Sequence, residues 1–353
     1  MKTVHFAYTA PFGNIINRAL NLFIRKINIT PPLYRNGNDL FIPWRKPIRS
    51  PHSISHNLLH RFKSFSKVKF YNFYEHTVCD MKDGDIFIGQ PAPVLNKIPH
   101  EKIDYDSVTY RTIKKFPSKN NYIIMPYTHN PLYSGWWSEL YEMTDNIILI
   151  CGDIWTKNWS DSPFYNLGKK NILQMDMAID INDYPVVKKR FNPKGKRKFL
   201  YIGHTSWYKN TKQLEQIANN YPGFKGGHIG GGFIKGWKKI SEFTDLTPEY
   251  MSKIADEYDI FVNTSSSDPN ATTIIEQMSL GFAVACTKET GYDYPSLFNL
   301  SINDTKYNLE KLNEIQIMDE EKLLYLGREN RKLVADKHNW QLFCDKIVNF
   351  MHL

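Results

Sequence analysis

The chain has 353 residues, of which 42% are hydrophobic and 23% are charged. This composition is typical of globular proteins and excludes an intrinsically disordered chain. Because a single hydrophobic core stops growing at about 250–300 residues, we expect two domains. The cysteines lie far apart without metal-ligand spacing, which predicts buried free thiols in a reducing compartment: Cys79, Cys151, Cys286 and Cys344.

The net charge of +9 is concentrated at the start of the chain. Residues 1–70 carry 12 Lys or Arg and one acid, Asp39, a net of +11, whereas the remaining residues have a net charge of −2. Such a segment fits an anionic membrane surface or the phosphates of a nucleic acid. A solvated basic face without a partner is the third interpretation. Because no stretch approaches the roughly 20 apolar residues of a membrane span and no secretory pattern follows Met1, we expect a cytoplasmic protein.

In the first half of the chain, short apolar runs alternate with turn residues. Thr3–Tyr8 is predicted to be a strand, and apolar residues at helical spacing predict a helix over Asn14–Lys26. Residues 30–66 are rich in Pro, Arg, His and Asn and lack periodicity, so we expect a long insertion or active-site lip there. Three further runs are typical of buried parallel strands: Asp85–Ile88, Asn121–Met125 and Ile147–Cys151.

The charged segment Asn192–Lys198 is the best candidate for a domain boundary. Beyond it, strands and helices alternate, which predicts a parallel sheet with helices on both faces. The predicted strands are Phe199–Gly203, Asp259–Thr264 and Ala283–Thr287, and the predicted helices are Thr211–Asn219, Pro248–Tyr258 and Thr272–Leu280. Gly226–Ile234 predicts a turn or strand edge and lacks the spacing of a dinucleotide-binding fingerprint. Glu320–Met351 is predicted to be helical, with a break near His338-Asn339.

The loop Ser265–Ala271 joins a predicted strand to a predicted helix and carries an acid, Asp268. Ligands of open α/β sheets bind at the carboxyl ends of the strands. A helix that starts there offers free N–H groups to a phosphate. Glu276 lies about one turn into the helix, within reach of a ribose. Two carboxylates placed in this way can hold hydroxyl groups at opposite ends of one nucleotide sugar.

The sequence SSSDPNATTIIEQMSLGFAVACT resembles the signature of family 4 of the retaining GT-B glycosyltransferases. Asp268 and Glu276 match the two acids of that signature, with Asp in place of the more usual Glu, and Gly281 matches its turn glycine. The resemblance implies an α/β protein with a GT-B fold, in which two Rossmann-like domains with parallel sheets face each other across a cleft. It implies an acceptor-binding domain over 1–190 and a nucleotide-sugar-binding domain over 191–353, with a C-terminal helix that crosses back to the first domain.

Further matches to the family give individual residues a role. In FLYIGHTSWYKN, Lys209 stands at the position of a diphosphate-binding lysine, and His204 replaces the usual arginine. His129, in IIMPYTHNPL, resembles a histidine that faces the donor sugar. By resemblance, His129 and Asp268 are therefore the catalytic residues. The residues implied to bind the donor are Gly13, His204, Lys209, Phe243, Leu246, Asn270, Ala271, Thr272 and Glu276.

The implied reaction moves a hexosyl group, with retention, from a nucleoside diphosphate sugar to a hydroxyl acceptor. The resemblance implies no metal cofactor, because helix dipoles and basic side chains neutralise the leaving diphosphate. The basic residues 1–70 suggest a lipid-linked or polysaccharide acceptor at an anionic membrane surface, where the enzyme would be peripheral on the inner face. Two alternatives stay open: a GT-B epimerase or phosphorylase, and a nucleic-acid-binding protein without enzymatic activity. No nucleic acid is expected as partner, since the sequence contains no recognised nucleic-acid-binding module.

Overall fold

The computed structural model describes residues 2–9, 50, 52–92, 104–117, 119–125, 142–157, 170–242 and 246–353. The chain divides into two compact units. The first comprises Met1–Cys151, Thr156–Met175 and Trp340–Leu353, and the second comprises Gly152–Trp155 and Asp176–Asn339. A domain boundary between residues 190 and 191 stays a prediction. The helix predicted over Asn14–Lys26 lies outside the described residues.

The first unit contains a parallel sheet with the strand order β2-β1-β3-β4-β5-β6. Its described strands are β1 (Thr3–Tyr8), β2 (Lys67–Asn72), β3 (Ile86–Gly89), β4 (Asn121–Met125), β5 (Asn146–Ile150) and β6 (Asn171–Met175). The described helices up to this point of the chain are α1 (His52–Lys63), α2 (Val108–Lys115) and α3 (Asp153–Lys157). Strands β1, β3, β4 and β5 confirm four predicted strands. All residues of β3, β4 and β5 are buried, as expected for strands covered on both faces.

Helix α1 corrects the expectation that residues 30–66 are an irregular insertion. Ile54, Leu58 and Phe62 recur at a spacing of four residues and are fully buried. The ring of Phe62 packs edge-on against Phe6 of β1, with 5.4 Å between ring centroids. This apolar stripe is narrow, and the residues around it are polar. The composition of the segment therefore did not indicate a helix that packs on the core.

The C-terminal segment is helical and broken where the sequence predicts a break. Helix α8 (Glu320–Lys337) ends before His338, and helix α9 (Trp340–Phe350) follows. Helix α9 belongs to the first unit, whereas α8 belongs to the second, so the chain returns to the first unit as predicted. Arg61 of α1 and Asp345 of α9 form an ion pair with 2.5 Å between Nη2 and Oδ1, and this pair fixes α9 against α1.

The second unit contains a parallel sheet with the order β12-β11-β10-β7-β8-β9. Its strands are β7 (Phe199–Ile202), β8 (Gly226–Ile229), β9 (Lys238–Ser241), β10 (Ile260–Asn263), β11 (Ala283–Thr287) and β12 (Phe298–Leu300). Its helices before α8 are α4 (Thr211–Asn220), α5 (Pro248–Glu257), α6 (Thr272–Leu280) and α7 (Thr305–Ile317). The predicted alternation of strands and helices is confirmed. Gly226–Ile229, expected at a turn or sheet edge, is instead an internal strand between β7 and β9.

The four cysteines are free and buried, as predicted. None of the helices in the described part of the chain combines the length and the apolar character that crossing a membrane requires.

The segment Asn192–Lys198 is integral to the second unit, although its charges suggested a linker. Arg197 is 3% exposed. Its guanidinium donates hydrogen bonds to the carbonyl oxygens of Gln316 and Met318, at 3.2 and 2.7 Å, at the C-terminal end of α7. A cation that satisfies C-terminal helix carbonyls is stabilising in this position. The basic residues of this segment therefore include a structural anchor, which charge counting cannot distinguish from a solvated linker.

Next to this segment, Lys188 and Asp259 form a buried ion pair, with 2.8 Å between Nζ and Oδ1 and side chains 1% and 0% exposed. Lys188 Nζ also donates hydrogen bonds to the carbonyl oxygens of Ala255 and Tyr258, at 2.6 and 2.8 Å. The carboxylate of Asp259 accepts hydrogen bonds from the backbone N–H groups of Asn192 and Lys198, both at 2.9 Å. Burial lowers the pKa of Lys188, and the charge of Asp259 opposes that shift. Both charges therefore have several partners, as buried charges require.

Replacing one member of this pair should strongly destabilise the second unit. Lys188→Met leaves the Asp259 carboxylate buried without its counter-ion, and we expect a loss of about 3–5 kcal/mol in the free energy of unfolding. Urea denaturation followed by tryptophan fluorescence measures it. The control is Lys194→Met, because Lys194 pairs with Asp319 on the surface, with side chains 53% and 77% exposed. Equal stability of the two variants would contradict a stabilising role for the buried pair.

Candidate functional site

The order of the strands in the second unit identifies where a ligand should bind. From β7 the chain continues through β8 to β9 on one side of the sheet, and β10, β11 and β12 lie on the other side. The strand order therefore reverses between β7 and β10. In open α/β sheets, the crevice outside the carboxyl ends of the strands at such a reversal is the usual binding site. The loop after β7 carries His204 and Lys209, and the loop after β10 carries Asp268.

Lys209 and Asp268 meet at this point. Their side chains form an ion pair and are 12% and 15% exposed. Lys209 is the last residue of a short 3₁₀ turn, Trp207–Lys209, and its ammonium lies 5.2 Å from the centre of the Tyr208 ring. The backbone N–H of Asp268 donates a hydrogen bond to the carbonyl oxygen of Glu289, at 3.1 Å. Two sequence-predicted residues 59 positions apart are thus in direct contact.

His204 is held by its neighbours in the same loop. Its Nδ1 accepts a hydrogen bond from the backbone N–H of Ser206 at 3.3 Å, and its Nε2 lies 3.0 Å from the hydroxyl of Tyr208. Since Nδ1 accepts, the proton of the neutral ring belongs on Nε2 and is donated to Tyr208. Burial lowers the pKa of His204, and Lys209 lowers it further, against the opposing charge of Asp268. His204 is therefore a neutral hydrogen-bond donor at pH 7 and does not replace the permanent charge of an arginine.

Tyr208 is a site residue that the sequence analysis did not select. Its carbonyl oxygen accepts a hydrogen bond from the backbone N–H of Ser266, at 2.8 Å, which ties the loop after β7 to the loop after β10. Burial raises the pKa of Tyr208, so its hydroxyl stays protonated. Its position directly before Lys209 in the sequence could have indicated a role in the site. An aromatic residue in a loop is, however, equally compatible with packing against the core.

Helix α6 begins directly after the Asp268 loop. Its N-cap residue, Ala271, has no side-chain group that can bond to the first turn, and its backbone N–H donates to the carbonyl oxygen of Thr290 at 3.1 Å. The following residue, Thr272, is the first of the helix. The N-terminus of α6 thus presents its positive dipole end at the carboxyl edge of the sheet, which suits an anion.

Asn270, predicted to bind the donor, uses its side chain within the protein. Its Oδ1 accepts hydrogen bonds from the backbone N–H of Met177 and the hydroxyl of Tyr292, at 2.6 and 2.7 Å. Its Nδ2 donates to Asp176 Oδ1 at 3.1 Å. Asn270 is 8% exposed. A role in binding would therefore fall to its backbone, while the side chain fixes the loop that carries Asp268.

Glu276 lies on α6 and is 5% exposed. Its Oε1 accepts a hydrogen bond from the hydroxyl of Tyr184, at 3.1 Å. Tyr184 is in turn fixed by Arg331 of α8, whose Nη1 donates to the carbonyl oxygens of Tyr184 and Ser279, at 2.5 and 2.9 Å. Tyr184 and Arg331 orient the predicted ribose-binding carboxylate. Sequence analysis missed them because they are 92 and 55 residues from Glu276 in the chain.

The glycines after β8 allow close contact with the loop after β7. Gly230 has φ +135°, and a Cβ there would lie 2.0 Å from the carbonyl oxygen of Gly203. Gly232 has φ +88°, and its Cβ would lie 2.0 Å from Oγ1 of Thr205. Side chains at these two positions would displace the loop that carries His204 and Lys209. Gly230 and Gly232 thus lie in a tight loop at the end of β8.

The remaining predicted residues differ in what the structure describes. Gly13, His129 and Phe243 lie outside the described residues. Leu246 is half-buried and precedes α5, close in sequence to its N-cap residue Thr247. Among the residues that the structure describes, no group of three or more His, Cys, Asp or Glu side chains has the arrangement of a metal site. The metal-independent reaction stays a prediction.

The protonation state of His204 gives a pH-dependent prediction. The pKa of His204 is lower in the folded protein than in the unfolded chain. The neutral side chain therefore contributes its full stability only above the unfolded-state pKa of 6.5. That stability is lost as the pH falls through this value towards the folded-state pKa, because the unfolded chain binds the proton more readily. An NMR titration, assigned with His204→Gln, should show the Nε2–H tautomer and a midpoint below pH 6.5. A midpoint above this value would contradict the assignment.

The comparisons with known proteins come from solved structures. No protein-family model matches the sequence, and no curated protein matches it. Sucrose-phosphate synthase from Thermosynechococcus elongatus superimposes with a TM-score of 0.59 at 12% identity, over 100% of this chain and 98% of that one. A glycosyltransferase from Rickettsia africae gives a TM-score of 0.56 at 12% identity, over 99% and 98% of the two chains.

A third similar structure is a point mutant of S. aureus TarM in complex with Fondaparinux, alpha-GlcNAc-glycerol and UDP. Its TM-score is 0.53 at 14% identity, and the match covers 76% of this chain and 55% of TarM. This chain thus spans about half the length of TarM. At these identities the likeness concerns the fold. Two parallel six-stranded sheets with this strand order, and the match to these glycosyltransferases, show that the chain has the GT-B fold.

Proposed function

We propose that this protein is a retaining glycosyltransferase that moves a hexosyl group from a nucleoside diphosphate sugar to a hydroxyl acceptor. The observation that carries the proposal is the contact between Lys209 and Asp268 at the reversal of strand order between β7 and β10. Residues that the resemblance assigns to the phosphate and to the sugar meet there, beside the N-terminus of α6. A cation beside a carboxylate at this edge of the sheet suits the phosphates and the hydroxyl groups of a sugar nucleotide.

Leaving-group stabilisation is the role we assign to Lys209 and α6. When the glycosidic bond of the donor breaks, negative charge develops on the diphosphate. A preorganised ammonium and the first N–H groups of a helix stabilise this charge without a metal ion. His204 is proposed to add one neutral hydrogen-bond donor when its Nε2–H turns from Tyr208 to the diphosphate.

Glu276 is proposed to hold the ribose. One of its oxygens accepts a hydrogen bond from Tyr184, and a carboxylate has further lone pairs for the two ribose hydroxyl groups. Asp268 is proposed to hold hydroxyl groups of the transferred sugar. His129 is proposed to line the reacting side, and Gly13 to let the backbone approach the phosphates. Phe243, Leu246, Ala271 and Thr272 complete the proposed donor contacts.

UDP is the first nucleotide to test. The TarM complex contains UDP. A thermal-shift panel of UDP, GDP, ADP and their glucose derivatives tests the proposal. Stabilisation by one diphosphate and its sugar is expected, and the absence of any shift with all six would overturn the proposal.

Two substitutions should greatly reduce donor turnover. Glu276→Gln keeps the shape and removes the charge that a ribose requires, and Lys209→Ala removes the cation that faces the leaving group. We expect kcat/KM for the donor to fall about 100-fold or more in each, as for loss of a charged transition-state contact. Release of nucleoside diphosphate from the stabilising nucleotide sugar measures it.

Matched controls distinguish the loss of a contact in the candidate site from a general effect of changing a charged residue. Glu314→Gln and Lys311→Ala change the same residue types in an exposed pair on α7 and should leave turnover unchanged. Near-normal turnover in both site variants would contradict the assignment. Product analysis without acceptor separates the alternatives, since an epimerase would release a different nucleotide sugar and a phosphorylase would require inorganic phosphate.

We further propose that the enzyme acts beside an anionic membrane, on a lipid-linked or polysaccharide acceptor. The turn between α1 and β2 supports this. Phe65 is 43% exposed there, and the guanidinium of Arg61 lies 4.7 Å from the centre of its ring. Lys63 and Lys67, on either side of Phe65, are exposed. An exposed aromatic ring between basic side chains suits the interface of an anionic bilayer.

Binding to vesicles should depend on this turn and on charge. The wild-type protein should float with vesicles that contain phosphatidylserine and be released at about 0.5 M salt, because salt screens surface charges. Lys63→Glu/Lys67→Glu should weaken binding by about one to two orders of magnitude, since each basic residue contributes about 1 kcal/mol. The control is Lys235→Glu/Lys253→Glu, the same charge change at exposed positions of the second unit. Equal flotation with neutral vesicles would contradict the electrostatic role.

A further inference from the structure

We propose that Asp268 makes the protein prefer the nucleotide sugar over the nucleoside diphosphate product, by competing with the diphosphate for Lys209. This inference rests on the proposed function and adds a specific task for one of its residues. It concerns binding only and involves no further chemical step.

The first support is the geometry of the ion pair. The ammonium of Lys209 is neutralised by the carboxylate of Asp268 when no anion is bound, and both side chains are mostly buried. Each residue is also fixed through its backbone: Lys209 N–H donates to the carbonyl oxygen of Ser206 at 2.9 Å, and Asp268 N–H donates to Glu289. A diphosphate that binds Lys209 therefore arrives where a carboxylate already lies.

The second support is the reach of the Asp268 charge over the surrounding loops. It contributes to raising the pKa of Tyr208 and Tyr292, after the larger effect of burial. It also opposes the lowering of the pKa of His204. The carboxylate therefore acts on the loops after β7 and after β11 as well as on Lys209. A negative ligand at this edge experiences the same charge at short range.

The two ligands differ in what they offer Asp268. A nucleotide sugar brings hydroxyl groups, which can donate hydrogen bonds to the carboxylate once Lys209 turns to the phosphates. A nucleoside diphosphate brings an additional negative charge and no sugar hydroxyl group, so Asp268 lies beside a like charge. The carboxylate then pairs with Lys209 again, which weakens the binding of the diphosphate product. Before the sugar is transferred, Asp268 accepts hydrogen bonds from the ligand. After transfer, Asp268 competes with the diphosphate product for Lys209.

Isothermal titration of the full chain with UDP and with UDP-glucose tests this inference, or with the GDP or ADP pair if that pair gives the shift in the panel. Asp268→Asn keeps the shape and removes the charge. We expect the variant to bind the diphosphate about tenfold more tightly and the nucleotide sugar no more tightly than wild type, which reverses the preference. In a Lys209→Met background, the same substitution should tighten diphosphate binding by a smaller factor than in wild type, because only the direct repulsion between the carboxylate and the diphosphate then remains.

Two further variants complete the test. Asp268→Glu keeps the charge and should keep the wild-type preference. Asp319→Asn removes an exposed ion-pair carboxylate of the same unit and should leave both affinities unchanged, which controls for net charge. If wild type binds both ligands and Asp268→Asn changes both affinities by the same factor, the inference is wrong and the proposed function stands. If wild type binds no member of any pair, the proposed function fails and the inference fails with it.

Discussion

The buried ion pair between Lys188 and Asp259 is the constraint on which the second unit depends. A charge in the interior costs several kcal/mol unless it is fully paired and hydrogen-bonded, so this pair tolerates few alternative arrangements of the chain around it. Asp259 directly precedes β10, and it fixes the backbone of Asn192 and Lys198 as the chain enters β7. The two strands between which the strand order reverses are therefore aligned from their amino ends. Because each strand is rigid, this also fixes the positions of their carboxyl ends, where the candidate site lies.

At the opposite edge of the sheet, a second set of polar contacts fixes the site itself. Asn270 connects its own loop to two other segments of the unit, Asp176-Met177 and Tyr292. Gly291 has φ +91°, and a Cβ at this position would lie 2.1 Å from the carbonyl oxygen of Pro269. The loop that carries Asp268 is thus held from its far side by hydrogen bonds and by close backbone packing. Such a loop can place a carboxylate reproducibly, which binding of a polar ligand requires.

The second half of the fold was predictable because its strands and helices alternate in regular lengths. The α6 helix and the strand after it could be placed from Thr272–Thr287 alone, since local periodicity and turn residues determine them. Helix α1 could not be placed, because its four buried apolar side chains lie in a polar segment and give a weak period. Arg197 and Lys188 could not be distinguished from solvated charges, since their partners lie in segments far along the chain. For the same reason the contact between Tyr184 and Glu276 could not be predicted from the sequence. Glu276 itself could be selected, because its motif is local.

Two departures from the signature that the sequence resembles lie in one cluster, and together they set the charge of that cluster. His204 stands where an arginine is usual, and burial with Lys209 nearby keeps it neutral. In the proposed function, Lys209 therefore supplies more of the positive charge that a diphosphate needs. Asp268 stands where a longer glutamate is usual, and its carboxylate pairs directly with that same lysine. A site with a second permanent cation would be little affected by this pairing. In this protein the pairing acts on the principal cation of the cluster, so the state of a single ion pair governs how strongly the site attracts an anion.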